Sequence, residues 1–93
     1  MVVGLGTYTL HLPAAHSLKE KRRVAKGMRE RLRHRFNVSV AEIDDHDLWQ
    51  KVTIGVAAVS TEAASANRTL DAILNFLSLE SECLVTDHHF EIL

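Results

Sequence analysis

The chain has 93 residues, a single cysteine and a net charge of −1 from 11 basic and 12 acidic side chains. One domain, residues 1–93, fits that length. A lone cysteine excludes an internal disulfide, a four-cysteine iron–sulfur cluster and a CxxC metal carrier, and no apolar run reaches the roughly 18 residues of a membrane span.

Residues 2–12 alternate, with Tyr8, Leu10 and Leu12 on one face and Thr7, Thr9 and His11 on the other. A period of two predicts a half-buried strand, and Pro13 ends it because proline cannot donate to the ladder. Ser17 then opens a helix. Ser17 and Glu20 have capping-box spacing, so each side chain can satisfy a backbone N–H of the first turn. Leu18, Ala25, Met28, Leu32 and Phe36, with Val24 beside them, make one apolar stripe, and Asn37 is the expected stop.

Val38 to Ile43 reads as a second strand. Asp44, Asp45, His46 and Asp47 form a polar, turn-prone stretch. Lys51 to Val59 is a third strand with Val52, Ile54, Val56 and Ala58 on one face. Ser60 or Thr61 is expected to cap a second helix whose stripe is Ala63, Ala66, Leu70, Ile73, Leu74 and Leu77. A polar connection from Ser78 leads to a last strand, Leu84 to Ile92.

The order β-α-β-β-α-β, with right-handed crossovers, predicts an α+β ferredoxin-like sandwich: a four-stranded antiparallel sheet with two helices on one face. The other sheet face would carry Val3, Leu5, Thr7, Thr9, His11, Thr53, Gly55 and Ala57. That set is too apolar for plain solvent surface and too poor in aromatics for base stacking. A homodimer that buries this face is expected. The N-terminal stretch lacks a basic start and a cleavage site, so a cytoplasmic protein is expected.

Ser17 to Arg23 (SLKEKRR), Arg35 to Glu42 (RFNVSVAE) and Asp47 to Gln50 (DLWQ) resemble the YlxP family of small bacterial proteins. The resemblance covers nearly the whole chain and implies a ferredoxin-like fold. Family genes often lie beside those of translation initiation and ribosome maturation factors, which implies a ribosomal setting. The resemblance carries over no catalytic residue. Thr7 and Thr9 stand where acidic residues are common in the family.

Charge is strongly segregated. Nine of the eleven bases fall between Lys19 and Arg35 against two acids, Glu20 and Glu30, so that segment is +7; Phe36 to Leu93 holds two bases and ten acids and is −8. Arg22, Lys26, Arg29 and Arg33 recur at steps of four, three and four, a stripe about 16 Å long on a helix, flanked by Lys19 and Arg23. Arginine forks suit phosphate, and such a row is the electrostatic footprint of a nucleic-acid binder. Arg29 and Arg33 lie off the apolar stripe and are expected to be exposed. The plain alternative is a solvated face, or one paired with acids.

Other constellations are weaker. The Asp44–Asp47 stretch has no metal-ligand spacing, and His88 and His89 face opposite sides of a strand. No GxSxG, P-loop or HExxH motif occurs, and the loop after the first strand lacks the glycine and arginine a phosphate cradle needs. Neither a metal, a cofactor nor a small-molecule substrate is expected. Trp49 reads first as a lid over the sheet edge and second as an exposed anchor for a partner. The leading expectation is a non-catalytic module contacting RNA, including ribosomal RNA, through Lys19, Arg22, Arg23, Lys26, Arg29 and Arg33. The competing one is a dimeric adaptor whose basic helix binds an acidic protein.

Overall fold

The computed structural model describes residues 1–44 and 48–93. Its elements run β1 (Val2–His11), α1 (Leu18–Arg35), β2 (Ser39–Asp44), β3 (Lys51–Ser60), α2 (Ala63–Ser78) and β4 (Leu84–Ile92). The strands form one sheet in the order β2-β3-β1-β4, and every neighbouring pair is antiparallel. This is the ferredoxin-like α+β fold.

Alternation on the two central strands decides which side is covered. Tyr8 and Leu10 of β1 and Val52, Ile54 and Val56 of β3 join Ala25, Met28 and Leu32 of α1 and Leu70, Ile73 and Leu77 of α2 in one core. Both helices therefore lie on the same face, α1 against β2 and α2 against β1, β3 and β4. Tyr8 is fully buried, and its hydroxyl donates to the Leu70 carbonyl at 2.8 Å. Gly6 makes room for that ring, because a Cβ there would stand 2.9 Å from Tyr8.

The opposite sheet face carries the odd-numbered partners Val3↔Val59, Leu5↔Ala57, Thr7↔Gly55 and Thr9↔Thr53, as the alternation predicts. Ile43 of β2 lies on this side, where a Cβ on Gly55 would meet its Cγ2 at 2.9 Å.

Three local details differ from the sequence reading. Ser17 caps α1 by accepting from the Glu20 N–H at 3.1 Å, but the Glu20 carboxylate reaches past Ser17 and accepts from the His16 N–H at 2.8 Å. Neither Ser60 nor Thr61 caps α2. Ser60 is still paired with Val2 in the ladder, so the helix begins at Ala63 with Glu62 as N-cap and no side-chain cap bond. β2 starts one residue later than expected, because the Val38 N–H turns back to the Phe36 carbonyl at 3.0 Å. Asp45, His46 and Asp47, the centre of the expected polar turn, lie outside the described residues.

Candidate nucleic-acid interface

The core-facing stripe of α1 sets everything else on that helix. With Val24, Ala25, Met28 and Leu32 buried, the 3.6-residue period turns Lys19, Arg22, Arg23, Lys26 and Arg33 outward, and all five are exposed. Lys19, Arg22, Lys26 and Arg33 make no ion pair among the described residues. Arg23 reaches Glu82 at 3.4 Å, with both side chains largely in solvent. A pair that exposed contributes little and leaves Arg23 available to another anion.

Arg29 is different. It is half-buried, and its Nε is buried with no hydrogen-bond partner among the described residues. The expectation that Arg29 is an exposed charge like Arg33 is therefore corrected. On the helical wheel it borders Leu18 and Ala25 at the rim of the apolar stripe, so part of its side chain packs against protein.

The other flank of α1 faces α2. Arg31 donates to Glu80 at 3.0 Å, and the Arg35 guanidinium stacks over the Phe76 ring at 5.4 Å. These two cations hold the helix pair together. The basic segment thus divides into an inward flank tied to α2 and an outward band running from Lys19 to Arg33.

Lys21 belongs to neither. It is 1% exposed, and its ammonium sits 3.2 Å from the Glu42 carboxylate of β2, whose side chain is 13% exposed. Lys21 clamps α1 to the edge strand. Sequence reasoning counted it in the +7 and missed its place, although spacing held the signal: Leu18, Lys21, Val24, Ala25 and Met28 share one face, and Val40 and Glu42 share another.

Trp49 is 55% exposed and does not act as a lid. With His11, Leu48, Gln50 and Lys51 it lines a hollow at one end of the uncovered sheet face. His11 Nδ1 lies 3.1 Å from the Gln50 carbonyl, and the Gln50 amide donates to the carbonyls of Pro13 and Ala15. The segment after Leu48 is thereby pinned while the indole stays out.

Cys83 is buried, and its thiol lies 3.5 Å from the Leu77 carbonyl. Burial, reinforced by Glu80, pushes its pKa up to about 11, the reverse of what a nucleophile needs. Among the described residues no cluster of three or more His, Cys, Asp or Glu side chains could hold a metal ion. Among the described residues no helix is long and apolar enough to cross a membrane.

A family model described as "Protein of unknown function (DUF503)" matches residues 3–90, from the first strand to the last. This chain belongs to the DUF503 family. A relative in Bacillus subtilis (strain 168), "Uncharacterized protein YlxP", is 43% identical over 63 residues, 68% of each chain. The resemblance to the YlxP family seen in the sequence is thus borne out. The DUF503 match spans the basic helix, the Lys21–Glu42 clamp and the Trp49 segment alike.

Proposed function

We propose that this DUF503 protein is a non-catalytic module that contacts structured RNA, with ribosomal RNA as the leading candidate, through the outward band of α1. The observation that supports this reading is the placing of charge against the helix dipole. Cations in the last turn, Arg33, His34 and Arg35, favour the negative end of a helix and need no further reason. Lys19 stands in the first turn, at the positive end, where a cation is unfavourable, and the like charges four apart, Lys19 with Arg23 and Arg22 with Lys26, add to the cost. Lys19, Arg22 and Lys26 gain no compensating ion pair among the described residues. An outside polyanion supplies the compensation.

From Lys19 to Arg33 the band is about 21 Å long at 1.5 Å per residue. That length meets several successive phosphates along one RNA strand. Phosphate contacts position a protein and carry little sequence information, so binding follows RNA shape more than sequence. The acidic remainder of the chain confines contact to this helix.

Fluorescence anisotropy with a folded ribosomal RNA fragment tests the proposal. Arg22→Glu with Arg33→Glu reverses two exposed charges away from the core and should weaken binding about tenfold or more at about 0.1 M salt. Arg68→Glu on α2, an exposed cation bonded only to Ser65 in its own helix among the described residues, should leave affinity nearly unchanged. If the double variant binds as the parent does, the basic helix is not an RNA contact. The adaptor reading, in which it meets an acidic protein, then replaces it.

A further inference from the structure

The sheet face opposite the helices is uncharged over most of β1, β2 and β3, while β4 adds Asp87, His89 and Glu91 to it beside Leu84. Val3, Leu5, Ala41, Ile43, Ala57, Val59 and Leu84 lie on it, and Ile43, Val59 and Leu84 are each more than half exposed. Its middle is hollowed. Gly55, Ala57 and Ala41 carry little or no side chain, and with Leu5, Thr7 and Ile43 they line a shallow depression of about 340 Å³. At the His11 end of the same face stands the protruding pair Leu48 and Trp49. One surface therefore presents both a projecting aromatic and a hollow of small residues, which is the self-complementarity an isologous contact requires.

We infer that two copies of this chain pack sheet face to sheet face, with Trp49 of each seated in the Gly55–Ala57 hollow of the other. A two-fold axis lying across the strands near the Thr9↔Thr53 pair carries the Lys51 end of β3 over the Gly55–Ala57 level, because the two lie four to six residues apart on one strand. That separation is about 13–20 Å, bisected by such an axis.

Among the described residues of β1, β2 and β3 this face bears formal charge only toward one end, Lys51 and the Thr53 partner Asp44, and the acids Asp87 and Glu91 sit on the outer strand β4. That is the arrangement of an apolar interface core with a polar rim. Size agrees. Four strands about 4.8 Å apart and about nine residues long present roughly 19 × 30 Å, so two faces bury on the order of 1,100 Å². Such an area falls just below the about 1,200–2,000 Å² of standard specific interfaces, in the range of weak, reversible contacts. Both α1 helices then point away from the contact, so their charge does not oppose assembly.

Trp49 is the sole tryptophan, which makes it a built-in reporter. Sedimentation velocity and tryptophan emission are followed together from low micromolar to submillimolar protein. The mass should rise from 10.4 kDa toward twice that value, and the emission should shift to the blue over the same range. Ala41→Glu places a charge in the hollow at an exposed position and should return both readings to those of the monomer. Trp49→Ser should abolish the rise in mass, and retained circular dichroism shows that either variant is folded. A chain that stays monomeric, or a dimer whose Trp49 emission remains that of a solvated indole, overturns the inference. Neither readout involves RNA, so the result is independent of the reading of α1.

Discussion

Lys21 brings a positive charge into the space between α1 and β2, and Glu42 meets it there. Removing the Lys21 ammonium leaves the largely buried Glu42 carboxylate without that cation, at a cost of about 3 kcal/mol. Lys21→Met should therefore lower unfolding stability by about that amount in urea titrations. Lys21→Met combined with Glu42→Leu should recover most of the loss, since an apolar pair of similar volume removes the desolvation penalty. A single variant as stable as the parent would show that the clamp contributes nothing.

Cys83 gives a pH signature. Its thiol ionises near 9.0 when free and near 11 in the fold, so the folded state favours the neutral form. The associated stability is complete below about pH 9 and is lost as pH rises toward about 11, on the order of 2–3 kcal/mol in all. Cys83→Ala should make the pH 9–11 decline in stability shallower. An unchanged slope would rule this source out. What the sequence displayed at this scale was residue type and spacing. What it hid was which of nine cations turned inward. Arg29 lies at the rim of the stripe, where tertiary packing rather than period decides exposure, and Lys21 lies within it, where its charge masked what the period showed.

Among the elements, α1 and α2 begin very differently. Ser17 accepts from the Glu20 N–H, so Ser17→Ala should cost about 1 kcal/mol. Glu62 makes no cap bond, and Glu62→Asp should stabilise the protein by about 0.5–1 kcal/mol, because the shorter carboxylate can reach the free N–H groups of the first turn. Thermal melts of both variants check the pair of expectations, and a Glu62→Asp variant no more stable than the parent would contradict the second. The six elements were readable because period two and period 3.6 alternate cleanly along the chain. The α2 cap was not, since Ser60 and Thr61 have capping chemistry but β3 holds Ser60 in its ladder. Trp49 was ambiguous for a similar reason. Its exposure depends on Gln50 bonding Pro13 and Ala15, contacts some 35 residues away in sequence.

On the scale of the whole molecule, the fold distributes its surfaces by chemistry. The helix layer carries the basic band, and the middle of the opposite sheet face is uncharged on β1, β2 and β3. Acids gather on the β4 side and around the end of α2. A protein of net charge −1 then has one direction from which a polyanion is welcome. Lys19, Arg22, Arg23, Lys26 and Arg33, with Arg29 at the rim, supply about three to four simultaneous phosphate contacts. The most direct measurement is the salt dependence of binding to a folded ribosomal RNA fragment. The slope of log K against log salt should lie near −2 to −3.5, at roughly −0.7 to −0.9 per contact. It should flatten by about two contacts' worth in the Arg22→Glu, Arg33→Glu variant. A slope near zero in the parent, or the same slope in parent and variant, would contradict the assignment of α1 as an RNA-binding surface.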